Sequence, residues 1–123
     1  MKRKSSKQSK LERDSANERK EFRILFPSCC ICGKHDPDTH TIDEIVRGGS
    51  RSKGYADRVA WLPACFACNC GPLNSMPVVQ KLAIKLCVDP EYFDLMKVNE
   101  MRGRAPNAIT LTDVATYLTP LIQ

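Results

Sequence analysis

The chain has 123 residues, 42% of them hydrophobic and 27% charged, which suits one small domain with a modest core. It holds no apolar run of roughly 18 residues, so no membrane-spanning helix is expected. The basic start MKRKSSKQSK has no apolar region behind it to make a secretory signal. The net charge of +5 is uneven: residues 1–23 carry nine Lys or Arg against four Asp or Glu, whereas residues 24–123 carry ten of each.

In chain order, residues 1–22 read as a basic N-terminal arm, nearly free of apolar residues. Two capping boxes, Ser9 to Glu12 and Ser15 to Glu18, allow a frayed helix there. Such an arm is either a loose phosphate-contacting device or a solvated tail. Residues 23–123 read as the domain. The apolar run Phe22, Ile24, Leu25, Phe26 leads into a first knuckle, Cys29-Cys30-Ile31-Cys32-Gly33. A strand is predicted over Thr39–Val46 from its β-branched residues, then a glycine-rich loop (48–54), then a short strand over Arg58–Leu62, the two forming a hairpin.

A second knuckle, Cys65-Phe66-Ala67-Cys68-Asn69, follows. Asn74 or Ser75 is expected to cap a helix running to about Val88, with Val78, Leu82 and Leu86 on its buried stripe and Lys81 and Lys85 on a different face. Asp89-Pro90 is expected to open a helix to about Met101, and a last helix is expected over 111–118.

Two CxxC pairs at this spacing suggest one tetrahedral zinc site with Cys29, Cys32, Cys65 and Cys68 as ligands. A disulfide or redox role is the competing reading. The expected setting is reducing and cytoplasmic, where clustered cysteines more often bind metal. After the second Cys of each knuckle a left-handed backbone is expected; Gly33 supplies it and Asn69 tolerates it. Cys30 and Cys70 read as spectators or alternative ligands, and Cys87 as a core residue. Knuckle, hairpin, knuckle, helix is the order of a treble-clef domain, giving an α+β fold with a core at 29–88 and extra C-terminal helices.

The stretch Thr39-His40-Thr41-Ile42-Asp43-Glu44-Ile45-Val46-Arg47-Gly48-Gly49, with Ala60-Trp61-Leu62-Pro63-Ala64-Cys65-Phe66-Ala67-Cys68, resembles the HNH (His-Me finger) endonucleases across roughly residues 29–88. The resemblance implies metal-assisted hydrolysis of a phosphodiester, with DNA as partner, a His as general base, and one Mg2+ or Mn2+ on the scissile phosphate. The chain departs from the pattern where that chemistry lies. Asp43 stands at the position of the base, Ala60 at that of the middle Asn, and Asn69 at that of the last His.

Two readings therefore stand. In one, a nuclease uses His40 as a displaced base, with Asp43, Glu44 and Asn69 as ligands of the catalytic ion. In the other, the site is degenerate and the domain binds nucleic acid without cutting it. A zinc-stapled protein-interaction module is a third. In either nucleic-acid reading, Arg47, Arg51, Lys53 and Arg58, against Asp57, make the hairpin loop a candidate phosphate contact, with Arg102 and Arg104 as a second one. Simpler roles are available: His35 exposed and idle, Asp43 and Glu44 a solvated pair, Asn69 a turn residue and Trp61 core.

Overall fold

A computed structural model describes residues 6–47, 51–103 and 108–122, excepting the side chains of 6–9, 11–12, 51–52 and 119–122. Of the expected glycine-rich loop at 48–54, residues 48–50 lie outside the described residues, as do the Arg51 side chain and Arg104, while Arg51–Ala56 are helical rather than loop.

The arrangement is α+β. A two-stranded antiparallel sheet joins β1 (His40–Glu44) to β2 (Trp61–Cys65), in the register His40–Cys65 to Glu44–Trp61. Helices surround it: α1 (Ser6–Leu25), α2 (Arg51–Ala56), α3 (Phe66–Cys70), α4 (Pro72–Ser75), α5 (Val78–Val88), α6 (Leu95–Arg102) and α7 (Leu111–Ile122). Short 3-10 turns at Arg58–Ala60 and Pro90–Tyr92 complete the described elements. No described helix is long and apolar enough to cross a membrane.

The predicted hairpin forms, with β2 displaced toward the second knuckle. Asp57 accepts from the Val59 N–H and holds residues 58–60 in a 3-10 turn, so the strand begins at Trp61. Every residue of β2 is buried. Trp61 lies at the heart of the core and donates from Nε1 to the Gly54 carbonyl at 2.8 Å. A Cβ on Gly54 would stand 2.8 Å from the Val46 carbonyl oxygen, so only glycine lets α2 come this close to the end of β1.

α1 is a continuous helix that crosses the boundary drawn at residue 22. Few apolar residues hold it, but they are well placed. Phe22 is buried, 5.5 Å edge-on to Trp61 and 5.0 Å from Phe26 by ring centroids. Arg19 lies over the Tyr55 ring at 3.9 Å and donates to the Tyr55 carbonyl.

The helix expected from Asn74 or Ser75 to Val88 is divided at its start: those two residues end α4, and α5 begins only at Val78. Pro77 takes an extended conformation and caps α5, because proline has no N–H and restricts the residue before it. The helix expected from Pro90 is likewise divided: a 3-10 turn comes first, and Asp94 caps α6 by accepting from the Lys97 N–H at 3.0 Å. α7 runs past the expected end at 118, packs on α5 and buries Val114.

Candidate metal centre and buried charge network

The first knuckle is a tight turn closed by its own backbone. The Gly33 N–H donates to the Cys29 carbonyl at 2.9 Å, and the Cys29 N–H to the Lys34 carbonyl at 3.0 Å. Gly33 has φ 75°, the left-handed region that disfavours a side chain. The turn is fastened to the sheet by the Cys30 N–H, which donates to the Pro63 carbonyl at 2.8 Å. The second pair spans a strand end and a helix start: Cys65 closes β2 and Cys68 lies in the first turn of α3. The Phe66 N–H donates to the Thr39 carbonyl at 2.7 Å, so the start of α3 is tied beside β1.

These four sulfurs form a compact cluster, all within 4.8 Å of one another. Sγ of Cys32 and Cys65 are 3.8 Å apart. A tetrahedral ion with metal–sulfur bonds of about 2.3 Å sets its ligand sulfurs about 3.8 Å apart, so four thiolates at this spacing fit zinc. All seven cysteines are free. Burial opposes ionisation of Cys29, but the backbone N–H groups of Cys32, Cys65 and Ile31 overcome it and lower the thiol to about 6. Cys68 is pushed up to about 12 by burial and by the other three cysteines.

The remaining cysteines stand apart. Burial, then the charges of Cys29 and Asp43, push the Cys30 thiol up to about 12. Cys70 and Cys87 are exposed. The expected core position of Cys87 is thus corrected: its neighbours Leu86 and Val88 are only half-buried, and it faces outward from α5.

Asp43 lies on the face of β1 opposite His40, as strand alternation requires. It is fully buried, ion-paired to Lys81 Nζ at 3.0 Å and hydrogen-bonded by Arg47 Nη2. The same Arg47 guanidinium donates to Asn69 Oδ1 at 3.1 Å and to Asn74 Oδ1 at 2.9 Å. Asn69 in turn donates to Thr41 Oγ1 at 3.0 Å and to the Ile42 carbonyl at 3.3 Å. Asn69 has helical backbone, not the left-handed conformation expected after a knuckle: no described non-glycine residue has positive φ. Its role is to join α3 to β1 and to Arg47 through its side chain.

His40 is turned away from this cluster. Its ring is held by a 2.6 Å hydrogen bond between Nε2 and the Phe26 carbonyl. The carbonyl can only accept, so Nε2 carries the proton. Nδ1 is buried with no hydrogen-bond partner among the described residues. Glu44 is half-buried, and its carbonyl accepts from Arg47 Nε at 3.3 Å. Thus Asp43, Asn69 and Arg47 come together, with the Glu44 carbonyl on the same guanidinium, while His40 does not join them.

Of the loop cations, Arg58 is committed to structure. It pairs with both carboxylate oxygens of Asp89, at 3.0 and 3.1 Å, and lies 3.9 Å over the Tyr92 ring. Lys53 is exposed on α2, and Arg102 is half-buried at the end of α6.

The buried state of the two α5 lysines was not legible in the sequence. Lys85 Nζ satisfies all three of its donors, on the carbonyls of Arg58 and Trp61 and on Asp89, at 2.8 to 2.9 Å. Burial lowers its pKa to about 8 despite the opposing influence of Asp89. Burial likewise lowers that of Lys81, against the pull of Asp43. The carboxyl of Asp89 is penalised by burial, but Arg58 and Lys85 outweigh that and hold it below the usual range. The one signal on offer is spacing: Asp43 and Arg47, and again Lys85 and Asp89, stand four residues apart. Comparisons with protein-family models, with curated proteins and with solved structures find no match to this chain.

Proposed function

We propose that the chain is a zinc-stapled treble-clef domain of the HNH type whose catalytic site is degenerate, and that it binds nucleic acid without cutting it. The order of knuckle, hairpin, knuckle and helix supports the treble-clef reading. Cys29, Cys32, Cys65 and Cys68 would hold the zinc, which would crosslink the two knuckles and contribute folding energy.

One observation carries the non-catalytic reading. The guanidinium of Arg47 fills the space between Asp43, Asn69 and Asn74, which is where the resemblance places the base and the ligands of a catalytic ion. Asp43 already faces two cations, Arg47 and Lys81. A divalent ion brought there would meet both at short range, in a buried setting where repulsion is poorly screened. Asn69 spends its oxygen on Arg47 and its amide on β1. The best-placed base, His40, faces the other side of the sheet. Nucleic-acid binding is supported by the excess of cations in residues 1–23, which α1 joins to the body.

Incubation of zinc-loaded protein with supercoiled plasmid and Mg2+ or Mn2+ tests this reading. The expected outcome is salt-dependent gel retardation with the plasmid left supercoiled. Nicking by the wild type that disappears in Asp43→Ala, with zinc content unchanged, would restore the nuclease. Absence of both retardation and nicking would point to a protein-interaction module.

A further inference from the structure

A cleft of about 200 Å3 lies between the C-terminal half of α1 and the segment leading into β1. Lys20 and Arg23 enter it from α1, and His35 and His40 from the opposite side. Ile24, Pro27 and Pro37 supply apolar walls, which concentrate the field of the cations. The buried acids of the body are already neutralised: Asp43 by Lys81 and Arg47, Asp89 by Lys85 and Arg58. Lys20 and Arg23, by contrast, have no ion-pair partner among the described residues.

The cleft ends a longer feature. At 3.6 residues per turn, Arg13, Ala16, Lys20 and Arg23 fall within about 80° of one another on α1, centred about 130° from the buried Ser15 and Phe22. Asp14, Glu18 and Glu21 gather on a third sector; Glu12 sits at the margin of the basic stripe, about three turns from the cleft. Arg13, Ala16 and Lys20 are exposed and Arg23 is half-buried. From Arg13 to Arg23 the stripe is about 15 Å long. That matches about four phosphates of one strand of duplex DNA, at about 3.4 Å of axis each.

We propose that this stripe is the track for a DNA backbone and that the cleft at its end is a phosphate site held by Lys20 and Arg23. This rests on the nucleic-acid-binding reading above and assigns the contact to α1 rather than to the hairpin loop. Phosphate contacts of this kind set affinity and orientation and are indifferent to sequence.

Fluorescence anisotropy with a labelled 20-base-pair duplex between 50 and 200 mM salt tests it. Lys20→Gln/Arg23→Gln is expected to weaken binding about tenfold or more and to reduce the steepness of log K against log salt by about 2, the yield of two lost phosphate contacts. Its zinc content and melting should be unchanged. The charge-keeping swap Lys20→Arg/Arg23→Lys should retain wild-type binding. Equal affinity and slope in wild type and Gln double variant overturn the site and leave the proposed function standing; a wild type that binds no duplex removes both. As a second measurement, the imidazole resonances of His35 and His40 should shift with saturating duplex, and unmoved resonances would overturn the site without recourse to any variant.

Discussion

Lys85 is the residue at which local pattern and final environment differ most. Its ammonium is fully buried, and it rests on three acceptors from two parts of the chain, the carbonyls of Arg58 and Trp61 and the carboxylate of Asp89 at the end of its own helix. Burial lowers its pKa to about 8, from an ordinary lysine value of 10.5. Between these values the unfolded chain holds more protons than the folded one, so this group favours folding increasingly as pH rises from about 8 toward 10.5. At about 1.4 kcal/mol per pKa unit, the full gain is on the order of 3 kcal/mol. Lys85→Met strands Asp89 and two carbonyls and is expected to cost about 3–5 kcal/mol near neutrality. Urea denaturation of both proteins from pH 7 to 10 should show the wild-type advantage widening with pH. A constant difference would mean that Lys85 titrates normally.

Among the elements, α1 depends most on what it packs against. Its sequence is polar, and its helical form in the protein follows from Phe22 and Arg19 seated against Trp61 and Tyr55. Phe22→Ala is expected to cost about 3–5 kcal/mol in chemical denaturation, the usual range for removing a buried aromatic ring. A loss below about 0.5 kcal/mol would return α1 to the status of a detachable arm. The expectation of an arm follows from the scarcity of apolar residues, which cannot register that one Phe meets a fully buried Trp from a distant strand. The break at Pro77, by contrast, was open to local reasoning, since proline's missing N–H acts within its own segment.

For the molecule as a whole, the two knuckles clasp the ends of the hairpin segment, and the four-sulfur cluster is where a single ion would close it. Structural zinc contributes about 10–16 kcal/mol in small domains, comparable to or larger than the total stability of about 5–15 kcal/mol typical of a protein. Purified protein is therefore expected to carry one zinc per chain and to lose its cooperative melt on chelation. Cys68→Ser should lower zinc occupancy and melting temperature together, and Cys70→Ser should change neither. Metal analysis and calorimetry on the three proteins check this; full zinc occupancy in Cys68→Ser would exclude it from the ligand set.

The two knuckles, the hairpin between them and the α+β class were readable in the chain, because each depends on short-range chemistry: cysteine spacing, a glycine free to take positive φ at Gly33, and β-branched runs. The partners of the buried charges were not readable, since Asp43 meets Lys81 and Arg58 meets Asp89 across long stretches of chain. The sequence motif put Asp43 and Asn69 forward as ligands for a catalytic cation, and only folding placed the Arg47 guanidinium between them. Whether a carboxylate is free to hold an ion depends on which positive charge reaches it first in three dimensions, and residue identities in order do not contain that distance.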